Sequence, residues 1–187
     1  MNTGSSGAAR HTTRDGFEIL DQCHRDTLAV LDTLNELVAR LPAEGDSAEV
    51  RAMAGRVVQF FSTTSRDHHE DEERHVFPRV LAGADPDTVQ AVLRLQQDHN
   101  WLEEDWLELS SHLKALAAGQ SLWDADFLRE ASEVFTALSH DHMALEESTI
   151  YPQARARLRA GERQEMGREM AARRRARRAA QAPAGSH

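Results

Sequence analysis

In "RDHHEDEERHVFP", Arg66 to Pro78, every side chain from Arg66 to His75 is ionisable, and the chain turns apolar only at Val76. Such a run is either a solvated face or a place where some imidazoles and carboxylates point inward. Helical phase separates the two, because residues three, four and seven apart share a face. Ahead of the run lie Met53, Val57, Phe61 and Thr64, and His68, Glu72 and Val76 continue that stripe. His69 and Glu73 follow Ser62 and Ser65 and fall at its margin. Arg66, Asp67, Glu70, Asp71 and Arg74 take the solvated face. His75 shares the phase of His68 but lies about two turns, ~10 Å, further along the axis, and is read as a non-ligand.

The same period recurs on both sides. Phe17, Leu20, His24, Leu28, Leu31, Leu34, Val38 and Leu41 predict a first helix closed by Pro42 and Gly45. The second starts near Asp46 or Ser47 and runs through the opening stretch to about Leu81. "GADPDT" interrupts it, with Asp85 or Asp87 as caps around Pro86. Val89, Val92, Leu95, His99, Leu102, Trp106, Leu109 and Leu113 predict a third helix, to Gly119. A fourth opens at Ser121 or Asp124 and passes Phe135, Leu138, His142, Glu146 and Thr149 to about Leu158. The expected fold is all-α, an up-down-up-down four-helix bundle over residues 14–160. Residues 1–13 read as a disordered lead-in, and 161–187 as a short basic fifth helix with a flexible tail.

The chain also repeats itself. "LDQCH", ending at His24, is echoed by "LQQDH", ending at His99; "HHEDEERHVFP" from His68 lies over "HMALEESTIYP" from His142. The His, the two adjacent Glu and the Pro coincide, and Phe77 meets Tyr151. First and third helices are therefore related, as are second and fourth. That relation implies a pseudo-two-fold axis along the bundle, with His24, His68, His99 and His142 at one level.

The formal charge of −9 hides an acidic body and a basic C-terminal segment, the latter carrying ten Arg against three Glu from Arg155 to Arg178. The acidic body argues against nucleic acid as the main partner and suits cation binding. Glu162, Glu165 and Glu169 break up the arginines, so that segment reads as a solvated helix end. Cys23, the only cysteine, excludes an internal disulfide and reads as a buried or interface thiol. No apolar run approaches the ~20 residues of a membrane span, and a cytoplasmic setting is expected. No Ser–His–Asp set, phosphate loop or CxxC pair is visible.

Phase places Glu103, four residues after His99, on the inward stripe as well. Four His and three Glu would then share the bundle interior: His24, His68, Glu72, His99, Glu103, His142 and Glu146. Burying one unpaired carboxylate costs several kcal/mol, and neighbouring ones repel. Hydrogen-bonded His–Glu pairs offset part of that, and divalent or trivalent cations offset more. Imidazole and carboxylate donors without thiolate suit iron or manganese, with zinc possible. One such histidine alone is more often an ordinary core residue; the repeated His-x3-Glu pairs favour metal. The three Trp read as packing, and Tyr151 as a neighbour of the centre.

His24, "HHEDEERHVFP", "DHNWLEED" and "HDHMALEESTIYP" together resemble the hemerythrin-like, HHE cation-binding domains over about residues 15–160. The resemblance implies an oxo- or hydroxo-bridged di-iron centre. Glu72 and Glu146 would bridge, His24 and His68 would serve one iron, and His99 and His142 the other. Glu103 stands where the oxygen carriers have a second His, and His142-x3-Glu146 replaces their Asp one residue further on. An extra anionic ligand favours the ferric state, so the resemblance points from reversible oxygen carriage toward a redox reaction with O2, peroxide or NO. An iron- or oxygen-responsive binding module and a zinc-filled or metal-free structural bundle are the alternatives.

Overall fold

The computed structural model describes residues 14–181, apart from the side chains at 178 and 181. The expected N-terminal lead-in and the last residues of the tail lie outside the described residues. Every regular element described is helical: α1 Gly16–Glu44, α2 Ala48–Phe61, α3 Ser65–His75, α4 Phe77–Leu81, α5 Pro86–Ala117, α6 Ala125–Leu145, α7 Tyr151–Arg157 and α8 Ala160–Gln181. A π turn, Glu146–Ile150, joins α6 to α7. None of these helices is long and apolar enough to cross a membrane.

The ends follow local chemistry. Asp15 caps α1 in a capping box with Glu18, and Ser47, Asp85 and Asp124 cap α2, α5 and α6 through their side chains. Gly45 (φ 55°) and Gly119 (φ 66°) close α1 and the turn after α5 in the left-handed region that favours glycine.

The second expected helix is in fact three. After Phe61 come Ser62, Thr63 and Thr64, poor helix formers, and the Thr63 hydroxyl bonds back to the Gln59 and Phe60 carbonyls. At the other end Pro78 disfavours helical backbone at Phe77 and lacks the N–H that would bond back to Arg74. Pro152 holds the equivalent place in the repeat, one residue beyond the π turn.

In this helical bundle α1 packs on α2 and α6, and α5 packs on the same two. The apolar core is in two parts. One contains Leu31, Leu34, Val57, Phe61, Leu109, Leu113 and Phe135, the other Phe17, Leu20, Val76, Phe77, Val92, Leu95 and Ile150. Each long path crosses from one part to the other at a buried histidine: His24 on α1, His68 on α3, His99 on α5 and His142 on α6. A polar layer thus lies between two dry clusters.

Two expectations need correction. Asp71 is fully buried, not solvated, and the arginine-rich segment is docked, not free. Helix α8 buries Met166 and Met170 in the second cluster. Gly167 lets it lie close on the start of α1, since a Cβ there would collide with the Arg14 carbonyl oxygen. Beyond that anchor, Arg173 and Arg174 both bond Asp71 on α3. The charges that looked solvated in each segment are one another's partners.

Candidate metal centre

The polar layer is built from α1, α3, α5, α6 and the π turn. His24, His68, His99 and His142 are at most 5% exposed, and Glu72 and Glu146 are fully buried. Their potential ligand atoms form two groups: His24, His68, Glu72 and Glu146, and His99, His142, Glu72 and Glu146. Within each group these atoms all lie within 4.8 Å of one another.

The two carboxylates are shared in a defined way. Glu72 turns Oε1 to His68 Nε2 (3.5 Å) and Oε2 to His99 Nε2 (3.4 Å). Glu146 turns Oε2 to His24 Nε2 (3.2 Å) and Oε1 to His142 Nε2 (3.1 Å). His24 and His68 bring their Nε2 atoms within 3.1 Å of each other. Glu72 Oε2, both oxygens of Glu146, and the Nε2 atoms of His99 and His142 are buried without a hydrogen-bond partner. Polar atoms left so are costly unless something satisfies them, and a pair of cations between the histidine pairs would satisfy all of them. The donor set fits the metals the sequence implied.

Two of the outer ring nitrogens are engaged by carboxylates: His24 Nδ1 is 2.8 Å from Glu147 and His99 Nδ1 is 2.9 Å from Glu73. His142 Nδ1 stops 3.8 Å from Asp98, and it and His68 Nδ1 have no hydrogen-bond partner. An Nδ1–H donated to a carboxylate orients the ring and leaves Nε2 as the free donor, as metal-bound histidines ordinarily require. Each adjacent Glu pair of the repeat divides in the same way. Its first member, Glu72 or Glu146, faces the centre, and its second, Glu73 or Glu147, is about half exposed and orients a histidine of another helix.

The two ends are not equivalent. The π turn brings Tyr151 inward, where its ring stacks on His24 and its O–H donates to Glu72 Oε1 at 2.5 Å. At the other end the counterpart, Phe77, stacks on His99 without a hydroxyl. There His69 lies flat on His99, centroids 4.0 Å apart, and its ligand atom joins those of His99 and His142 within 4.8 Å. In the repeat His69 corresponds to Met143.

His69 does lie at the margin of the inward stripe, half-buried beside His68, yet it is close enough to His99 and His142 to share a donor group with them. The polar stripe of Ser62, Ser65, His69 and Glu73 was the available signal. Glu103 is the opposite correction. It is exposed and stays outside both groups. The inward stripe of α5 runs through Leu95, His99, Leu102 and Leu109, which turns Glu103 to the rim of a cleft of about 530 Å³. Glu103, Glu73, Glu70, His69, His99 and Trp106 line that cleft, which gives the His99 end a route to solvent. His75 stands away from the centre, 2.6 Å from Glu169 on α8. Cys23 is buried, and burial pushes its thiol up to about 12. Trp106 packs on Phe61 and Phe135, whereas Trp101 is half exposed.

Proton affinities in the layer are strongly displaced. Burial pulls His24 and His142 down, but Glu146 outweighs it and leaves them at about 9 and about 10. His99 is likewise held above the usual range, burial being outweighed by Glu72. Burial, then neighbouring imidazolium charge, keeps His68 and His69 well below it. Burial and the charge of Glu146 push Glu72 up to about 7. Burial also opposes ionisation of Glu146, but His142 prevails and holds it well below the carboxylate range.

Comparison with known proteins agrees with this geometry. A family model described as "Hemerythrin HHE cation binding domain" matches residues 15–154. A protein of Haemophilus influenzae, described only as uncharacterized, is 30% identical over 163 residues, covering 87% of this chain and 92% of that one.

Proposed function

Because the chain belongs to the hemerythrin HHE cation-binding family, we propose that its polar layer is a non-haem di-iron centre that binds or reacts with a small oxidant such as O2, peroxide or NO. Manganese or zinc could fill the same donors. The observation that carries this reading is the division of each central carboxylate, one oxygen toward each histidine pair. Glu72 and Glu146 would bridge, His24 and His68 would complete one site, and His99 and His142 the other, with His69 as a further donor. The contacts of α1, α2, α5 and α6 suit an up-down-up-down order, and the absence of any disulfide pair suits a cytoplasmic setting.

Iron bound there supplies electron exchange with the oxidant; the protein supplies the surroundings. The two apolar clusters exclude water above and below the layer. Tyr151 holds a proton on its oxygen against Glu72, in reach of the centre. Glu73 and Glu147 keep His99 and His24 aimed. The cleft at His69 and His99 admits a small molecule at one end. With Glu103 outside the donor groups, the preference for redox chemistry rests instead on Tyr151 and His69, which crowd opposite ends of the centre. Reversible carriage needs an uncrowded position from which oxygen can leave unreduced. Iron-loaded protein that is reduced, aired and then purged of oxygen should fail to regain its reduced spectrum. Full return over several cycles would establish a carrier and overturn this preference. A second reading, a metal- or oxygen-responsive module, is favoured by the seat of α8 on the ligand-bearing helix α3.

The outer carboxylates give a separate expectation. Glu73→Ala and Glu147→Ala should each weaken metal binding about 10- to 100-fold, the usual range for losing a histidine's hydrogen-bond partner. Competition against a chelator of known affinity measures it. Wild-type affinity in both variants would remove these residues from the account.

A further inference from the structure

Helix α3, "SRDHHEDEERH", contains no apolar side chain. Its buried residues are His68, Asp71 and Glu72 alone. No side chain caps its start, and it is broken from α2 at Ser62–Thr64 and from α4 at Val76. The hydrophobic effect, which seats every neighbouring helix, has nothing to hold here. Polar attachments remain. Inward, His68 and Glu72 belong to the centre and Glu73 meets His99; toward the anchored half of α8, His75 meets Glu169. Outward, Asp71 meets Arg173 and Arg174, Asp67 meets Arg177, and Glu70 meets Arg173 (3.1 Å) and Arg177 (2.6 Å).

The partner helix divides in a complementary way. Its first half is anchored by Met166 and Met170. Among the described residues from Ala171 to Ala180 none is fully buried, so this half is held to the body through its arginines. Asp71 is no ordinary surface pair, for it is 0% exposed. A carboxylate so desolvated depends on its guanidinium partners, and losing them leaves an uncompensated buried charge.

We propose that the metal centre and the C-terminal half of α8 are energetically coupled through α3. Arg173 and Arg174, acting on Asp71, are positioning residues for His68 and Glu72. Metal held by His68 and Glu72 in turn fixes α3 as the surface on which α8 lies. Coupling of this kind is reciprocal: whatever factor α8 adds to metal affinity, metal returns to the docking of α8. The inference rests on the metal reading of the centre.

The test uses the full chain and ferrous iron without oxygen, with zinc as a redox-inert control. Amide hydrogen exchange across residues 171–180 should slow by about tenfold on metal loading, within the usual range of such couplings. The double variant Arg173→Gln/Arg174→Gln should weaken metal affinity by a similar factor, measured where circular dichroism shows it folded. Adding Asp71→Asn removes the stranded carboxylate and should restore thermal stability, while leaving exchange at 171–180 insensitive to metal. A purely structural role for the arginines would not produce that insensitivity. If the wild type fills normally and exchange slows in α3 but not in α8, the coupling is overturned and the metal reading stands. A wild type that takes up no metal overturns both.

Discussion

Replacing Glu72 and Glu146 together by glutamine should empty the centre, taking metal content from ~2 ions per chain to almost none, since neutral amides are poor ligands for hard cations. Among the described residues these two carboxylates are the groups that face both histidine pairs, so neither donor group keeps an anionic member once both are gone. Glutamine preserves shape, so the two apolar clusters should still close around the layer and helical content should be unchanged. The metal-free wild type already strains against these groups, with Glu72 driven up to about 7 by burial and by Glu146. Loss of metal with retained helicity would therefore identify the carboxylates as ligands rather than as struts of the fold. Two ions retained in the double variant would sink the bridging assignment.

The second large effect is on stability. Filling the centre should raise the melting temperature well above that of the metal-free protein. A ligand at about a thousand times its dissociation constant adds ~4 kcal/mol, and ~2–4 °C accompanies each kcal/mol in a domain of this size. One site therefore corresponds to a rise of roughly 10 °C.

The gap should also widen with pH. In the metal-free protein His24 and His142 have folded values raised to about 9 and about 10. Their contribution is fully present below the unfolded value of ~6.5 and is lost as pH rises through those folded values. Metal-bound imidazoles are already neutral, so the loaded protein is spared that loss. Melting curves with and without metal, at about pH 7 and about pH 10, measure both effects. A gap that is absent at both, or that narrows toward high pH, would contradict this.

How much of this the sequence disclosed depended on the kind of signal involved. Helix starts at Gly16, Ala48, Pro86 and Ala125 follow from caps adjacent in the chain, and a reader of Asp15, Ser47, Asp85 and Asp124 can place them. The internal repeat brought His24, His68, Glu72, His99, His142 and Glu146 to one level because their spacing matches in both halves, and the structure gathers those six. What phase could not give was the reach of a side chain at the edge of a stripe. His68, Glu72 and Val76 keep the inward phase of Phe61 across the break at Ser62–Thr64, and His69, beside that stripe, reaches His99 and His142 from its margin. Tyr151, read from the sequence as a neighbour of the centre, does reach it, donating its hydroxyl to Glu72. Glu103 failed for a related reason, since one helical face is wide enough to hold both a buried Leu102 and an exposed neighbour. The union of Asp71 with Arg173 and Arg174 joins residues about a hundred positions apart, and no periodicity within either segment carries it.

The central claim is a pair of coupled irons sharing Glu72 and Glu146. Protein produced with iron supplied and then oxidised should contain close to two irons per chain, one for each donor group. Its ferric state should give no electron paramagnetic resonance signal, because bridged ferric ions couple to zero net spin. One iron per chain, or the signal of isolated high-spin ferric ions in fully loaded protein, would contradict it.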